Sequence, residues 1–204
     1  MNKIILDLCG GTGSWSKPYK EAGYDVRVVT LPENDVRTYI PPENVYGILA
    51  APPCIEFSIA KDHKLKRDYV SGMEIVNACL HIIKKADPHF WALENPTGML
   101  TKFLGKQQYS FQPWWFGDGW TKHTMLWGKF NKPTGKYLKY TDCPQLSGAY
   151  IRPGRKTVSI AFNHLGQAKY FPQLLQFSQQ CTNDACFRSI TSPAFAQAFY
   201  KANQ

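Results

Sequence analysis

Four short apolar runs punctuate the first hundred positions, and each meets glycine, proline or an acidic residue where it stops. Lys3–Leu8, Asp25–Leu31 with its β-branched Val26, Val28 and Val29, the run from Ile48 to Ala51, and Phe90–Leu93 are predicted strands. Between them, Trp15–Ala22 carries helix formers and stops at Gly23, a C-cap signal. In Tyr69–Ala86 the apolar residues Val70, Met73, Val76, Leu80 and Ile83 fall three and four apart, the stripe of an amphipathic helix that Asp87-Pro88 brings to an end. Strand and helix therefore alternate, which predicts an α/β fold built on a mainly parallel, doubly wound sheet. Pro193–Ala202 reads as a closing helix.

The strand ends are chemically unusual. The first strand runs into Asp7-Leu8-Cys9-Gly10-Gly11-Thr12-Gly13. Glycines directly after a strand let the backbone turn tightly and approach a ligand, and a helix beyond them presents free N–H groups, so a nucleotide-like cofactor suits this loop. Neither G-x-x-x-x-G-K-[ST] nor a full G-x-G-x-x-G pattern is present, which argues against a P-loop or a standard dinucleotide site. The third run stops at Pro52-Pro53-Cys54, and the fourth enters Glu94-Asn95-Pro96-Thr97-Gly98. Proline cannot donate to a sheet ladder, so Cys54 and Glu94 each fall where a buried strand gives way to a stiff loop. In open α/β sheets this is the edge where ligands bind. The plainer alternatives are a cysteine packed as a small hydrophobe and a glutamate that caps or pairs.

At 204 residues, with 44% hydrophobic and 19% charged residues, the chain reads as one globular domain with a full core. No apolar run approaches the roughly 20 residues of a membrane helix, and the first residues lack a signal-peptide pattern, so a cytoplasmic protein is expected. The formal net charge of +9 points to a polyanionic partner, because a basic surface attracts phosphates and gains counterion release on binding. Lys61, His63, Lys64, Lys66 and Arg67 form an exposed basic segment, and Arg152-Pro153-Gly154-Arg155-Lys156 a basic turn; each is either a solvated face or a phosphate contact. Six cysteines are too sparse for a disulfide scaffold and are expected as thiols. A zinc site would have to draw on Cys143, His164, Cys181 and Cys186, yet no Cys-x2-Cys pair exists, so no metal is expected.

Taken together and in this order, Asp7-Leu8-Cys9-Gly10-Gly11-Thr12-Gly13, Pro52-Pro53-Cys54 and Glu94-Asn95-Pro96 resemble the cofactor loop, the nucleophile motif and the Glu-Asn-Val motif of the cytosine-5 DNA methyltransferases. Gln112-Pro113-Trp114-Trp115-Phe116-Gly117, Thr121-Lys122-His123-Thr124, Leu126-Trp127 and Arg188-Ser189-Ile190-Thr191 are similar to segments of small phage-encoded members. The resemblance implies a Rossmann-like class I methyltransferase fold in one domain, with residues 1–128 as catalytic core, 129–190 as a reduced DNA-facing region and 191–204 as the closing helix. It implies S-adenosylmethionine as cofactor, held by Asp7, Leu8, Cys9, Gly10, Gly11, Gly13 and Pro52, with Asp35, backed by Glu33, as the acid near the second strand end. The family's Gln-x-Arg-x-Arg motif and its C-terminal Gly-Asn motif are absent, as is the usual Phe of the cofactor loop.

In that family a thiolate adds to carbon 6 of cytosine so that carbon 5 becomes nucleophilic, while an acid protonates or hydrogen-bonds ring nitrogen 3. The resemblance gives Cys54 the first role and Glu94 the second. The target base must leave the duplex or come from a single strand, which calls for aromatic and basic groups along its path. Asn95, Lys122, His123, Arg152, Arg155 and Lys156 are the expected nucleic-acid contacts, with Trp114, Trp115, Trp120 and Trp127 as stacking candidates or core. DNA is the expected partner of a monomer. An RNA cytosine methyltransferase, a methyltransferase of free nucleotides and a non-catalytic nucleic-acid-binding protein on the same fold are the alternatives.

Overall fold

The structure, a computed structural model, describes residues 3–62 and 64–204; His63 of the basic segment lies outside the described residues. Contacts divide the chain into two compact units, Met1–Ser110 with Thr124–Phe130, and Phe111–His123 with Asn131–Gln204.

The first unit carries the sheet. Its strands are β1 (Ile4–Leu8), β2 (Asp25–Val29), β3 (Val45–Ala50), β4 (Phe90–Pro96) and β6 (Thr124–Lys129), with β5 (Tyr109–Phe111) straddling the boundary between units. The order is β2-β1-β3-β4-β6-β5. β2, β1, β3 and β4 are parallel, as the alternating pattern predicts, but β6 pairs antiparallel with β4, so the sheet is mixed. Between β4 and β6 the chain forms the four-residue helix α3 (Thr101–Leu104), β5 and a 3-10 turn at Pro113–Trp115. A parallel crossover usually carries the chain back through a long helix, and this connection is long enough in residues but holds only short helical pieces among the described residues.

The helix of the predicted stripe forms as α2 (Tyr69–Ala86). Asp68 caps it by accepting from Ser71 N–H at 3.0 Å, Lys84 and Lys85 complement its last turn, and Asp87 ends it in the left-handed region at φ 42°. Its buried residues are Val76, Cys79, Ile82 and Ile83, which pack on Leu6, Leu8, Ile48, Ala50 and Leu93. The stripe is thus turned toward Cys79 and Ile82, and Val70, expected on the buried face, is 84% exposed. Each fully buried aliphatic side chain here contributes about 1.5–3 kcal/mol. On the opposite face of the sheet, Tyr19 of α1 (Lys17–Glu21) stacks on Phe90 at 5.8 Å between ring centroids. α1 starts later than Trp15 because Pro18 suits a first helical turn, and Gly23 comes after its end at φ 85°.

The second unit is mostly short 3-10 turns with α4 (Leu175–Ser178), α5 (Asp184–Ser189) and α6 (Pro193–Ala202). Trp120, Ile160, Phe171, Leu174 and Phe187 form its core, and Phe195 of α6 stacks on Phe111. Ser192 caps α6 and donates to the buried Asp118 at 2.5 Å. Trp120 and Trp127 are 1% and 3% exposed, so neither can stack on a base; indole burial in the core overrides that expectation. Cys181 and Cys186 are joined as a disulfide, correcting the expectation of thiols: the turn between α4 and α5 leaves their Cα atoms 5.3 Å apart, within bridging range. Among the described residues no helix is long and apolar enough to cross a membrane, and no cluster of three metal-ligating side chains occurs.

Candidate active site

Parallel pairing brings three of the loops to one edge. Leu8 pairs with Ala50 and Ala50 with Leu93, so Cys9, Ala51 and Glu94 stand at one level, where β1 and β3 end while β4 runs on to Pro96 against β6. Ala51 N–H continues the ladder to the Leu8 carbonyl at 2.9 Å, and Cys9 N–H reaches the Val29 carbonyl at 2.8 Å. Cys54 comes three residues after Ala51, on the loop beyond β3.

The glycine loop is built on Asp7, which is fully buried. Ser16 donates to its Oδ2 at 2.5 Å, while Oδ1 is buried with no hydrogen-bond partner among the described residues. Burial pushes the Asp7 carboxyl up to about 6, and the Ser16 hydroxyl works against that rise. A Cβ at position 10 would lie 2.4 Å from the Asp7 carboxyl carbon, so only glycine lets the loop pass so close to the carboxylate. Cys9, Gly11 and Gly13 take positive φ values of 56°, 52° and 66°, and Gly13 N–H closes the turn on the Gly10 carbonyl at 2.9 Å. The Leu8 side chain is 0% exposed and belongs to the core, so what it offers this edge is backbone only. Cys9 packs against the same core, and a hydrogen bond with the Cys79 thiol lowers its pKa while raising that of Cys79.

Asp35 is not a free acid. Arg37 grips it through Nε at 3.0 Å and Nη2 at 2.5 Å, and its own N–H adds 2.9 Å, holding the carboxyl down at about 2. The negative charge of Asp35 works weakly to raise the Cys9 thiol pKa, against the Cys79 hydrogen bond.

Glu94 lies on β4, opposite Leu126 of β6, rather than on a loop as the sequence suggests, because the antiparallel ladder extends the strand to Pro96; the Cys54 loop is sewn to the segment that follows β4. The Cys54 carbonyl accepts from Phe57 N–H at 2.9 Å and Ser58 N–H at 2.8 Å, making one tight turn after the thiol. Ile59 N–H reaches Thr97 O at 3.2 Å, Met99 N–H reaches Phe57 O at 2.8 Å, and Ser58 bridges Gly98. A Cβ at Gly98 would stand 2.0 Å from the Phe57 carbonyl oxygen, a clash with backbone that no rotamer change relieves. Glu94 is 8% exposed and Cys54 is half-buried. Pro52 is buried, and its carbonyl accepts from Asn95 Nδ2 at 3.1 Å. Asn95 is 0% exposed, so it is a bolt between β4 and the Cys54 loop rather than a nucleic-acid contact.

Of the other expected contacts, Lys122 spends its ammonium on the carbonyls of Ser189 and Ile190, at 3.1 and 3.3 Å. Those carbonyls end α5, where a cation is favoured, and that use competes with a phosphate. His123, Arg155 and Lys156 are exposed; Arg152 lies over the Phe162 ring at 4.7 Å, and its carbonyl accepts from Arg155 N–H at 3.0 Å to close the basic turn. Ser16 and Gly98 are site residues that sequence reasoning does not single out. A serine before Lys17-Pro18 carries a helix-start signal, but its bond back to Asp7 carries none.

No family model matches the chain, and no curated protein does. Among solved structures, it is similar to one described as a candidate DNA modification methyltransferase encoded within an E. coli prophage, at 14% identity and a TM-score of 0.47. The match covers 78% of this chain but 53% of that one, so this chain accounts for about half of its length.

Proposed function

We propose that this chain is a DNA methyltransferase that uses S-adenosylmethionine to methylate carbon 5 of cytosine, with the first unit as catalytic core and the second as a reduced target-recognition region. One observation supports the reading above all: the glycine loop, the Cys54 loop and Glu94 of β4 lie at one edge of three adjacent parallel strands, the latter two joined through Asn95 and Gly98. The residues fit the cofactor. Glycine backbone permits close approach, and the unpaired Asp7 Oδ1 is a buried acceptor suited to a cationic or N–H-bearing ligand.

When bound, S-adenosylmethionine supplies the electrophilic methyl group that carbon 5 accepts. Cys54 as thiolate forms a bond to carbon 6, and the displaced electron pair is neutralised at ring nitrogen 3 by the Glu94 proton. Loss of the carbon 5 proton to solvent then expels the Cys54 thiolate, and the nitrogen 3 proton returns to Glu94, restoring the neutral aromatic ring. The exposed Arg155 and Lys156, in a chain of net charge +9, suit a phosphate backbone.

Fluorine at carbon 5 blocks that last proton loss, so fluorocytosine DNA is expected to be held on the protein through denaturation when donor is present. Cys54→Ser abolishes the adduct, and Glu94→Gln slows its formation on the order of 100-fold. Offering the same label to DNA, RNA and dCMP separates the substrates. Retardation of DNA in a gel without any adduct overturns the catalytic reading.

A further inference from the structure

Between Cys54 and α2 the chain makes a closed loop whose knot is Arg67. Its Nη1 donates to the Glu56 carbonyl at 2.8 Å and its Nη2 to the Ser58 carbonyl at 2.9 Å. Glu56 is itself held at its carboxylate, where Oε2 accepts from Lys61 Nζ at 2.6 Å and from Asp68 N–H at 2.6 Å. The Lys61–Glu56 pair is largely shielded, with side chains 13% and 15% exposed. A half-buried guanidinium that spends two N–H groups on backbone carbonyls orders chain more than it offers charge, because its planar fork fixes both acceptors at once.

The two carbonyls it fixes lie two and four residues beyond Cys54. The Cys54 carbonyl in turn accepts from Phe57 and Ser58 N–H, so Arg67 and Cys54 hold the same turn. Without the fork, the Glu56 carbonyl loses the Arg67 donor and the Ser58 carbonyl is left with Lys61 N–H at 3.2 Å, so the turn rests on backbone hydrogen bonds, among them the stitches to Thr97 and Met99.

We infer that Arg67 is a positioning residue for Cys54, acting through the Glu56 and Ser58 carbonyls rather than by touching nucleic acid. The inference rests on Cys54 being the reactive thiol of the proposed function. Reactivity depends on such placement, since misplacement of a nucleophile by about 1 Å costs on the order of 100-fold in rate.

Two measurements test it on the full chain. Alkylation of Cys54 by iodoacetamide, followed peptide by peptide with Cys143 as internal reference, reads the turn without any methyl transfer. Arg67→Ala and Arg67→Lys are both expected to raise the Cys54 rate at least threefold, because a point-like ammonium cannot reproduce the two-pronged clamp. Adduct formation on fluorocytosine DNA is expected to slow about tenfold or more in both variants, with DNA affinity within twofold of wild type and an unchanged salt slope. Cys54 alkylation unchanged in both variants overturns the inference. So does recovery of wild-type adduct rates by Arg67→Lys, or a salt slope lowered by about one, the mark of a lost phosphate contact. If wild type alkylates at Cys54 but never forms an adduct, the proposed function fails, and the alkylation comparison still decides the clamp. Should Arg67→Ala not fold, Arg67→Lys keeps charge and stem and carries the test alone.

Discussion

Asn95, fully buried at the end of β4, donates its side-chain amide to the Pro52 carbonyl at 3.1 Å, and so ties the strand that bears Glu94 to the loop that bears Cys54. Proline is the reason this bond matters locally: Pro52 and Pro53 offer no N–H of their own, so the loop after β3 relies on donors from elsewhere.

Asn95→Ala leaves the Pro52 carbonyl buried without that donor, a loss of about 1–3 kcal/mol. Asn95→Asp sets a carboxylate oxygen against a carbonyl oxygen in a buried place and is expected to cost more. Urea unfolding reads the stability. The same variants are expected to slow adduct formation on fluorocytosine DNA roughly tenfold or more, because the strand and the loop lose register. Unfolding midpoints and adduct rates that both match wild type sink this role for Asn95.

The sheet was legible where one rule governed it. Ile4–Leu8, Asp25–Val29 and Phe90–Leu93 form strands because short apolar runs have nowhere else to hide, whereas pairing with β6 extends β4 through Glu94 to Pro96, which the run does not show; α2 runs from Tyr69 to Ala86, between Asp68 and the Asp87-Pro88 stop. The buried face of α2 was less legible. Val70 is as apolar as Val76, and only the sheet beneath decides which of them is covered. β6 was missed as an antiparallel partner because pairing direction depends on the connection, which composition does not encode. At the site, residue types at strand ends pointed to Asp7, Cys54 and Glu94, since glycine and proline punctuation is local. The bonds of Ser16 to Asp7, Arg67 to Glu56 and Ser58, and Asn95 to Pro52 join residues 9 to 43 positions apart and leave no periodic trace.

The basic side chains of the second unit divide into two kinds. Lys122 holds the end of α5 through Ser189 and Ile190, whereas Arg155 and Lys156 stand in solvent on the turn after Arg152. Lys122→Ala is therefore expected to lower stability by about 1 kcal/mol while leaving the salt dependence of DNA binding unchanged. Arg155→Ala and Lys156→Ala are expected to leave stability alone and each to reduce the salt slope by about one. Affinity measured across a salt series, beside urea unfolding, distinguishes them; the reverse pattern would assign Lys122 to phosphate and the turn to structure.

Asp7 carries a pH dependence whose sign is set by its burial. Its carboxyl is raised from the ordinary 3.8 to about 6 because the folded chain withholds water from the charge, with the Ser16 hydroxyl only partly offsetting this. Between those two values the folded protein binds the proton that the unfolded chain has released, so stability falls as pH rises through the window. A difference of about two pKa units corresponds to roughly 3 kcal/mol, absent below pH ~4 and fully expressed above pH ~6. Asp118 is also raised by burial and titrates in the same direction, so wild type alone does not isolate the effect. Asp7→Asn does, because Asp118 is common to both proteins. Urea unfolding from pH 4 to 7.5 is expected to show wild type losing roughly 3 kcal/mol relative to the variant as pH rises. Parallel curves would mean that Oδ1 has a partner in solution. A cationic cofactor against that oxygen favours the ionised form, so S-adenosylmethionine affinity by titration calorimetry is expected to rise through pH 6 in wild type and to stay flat in Asp7→Asn.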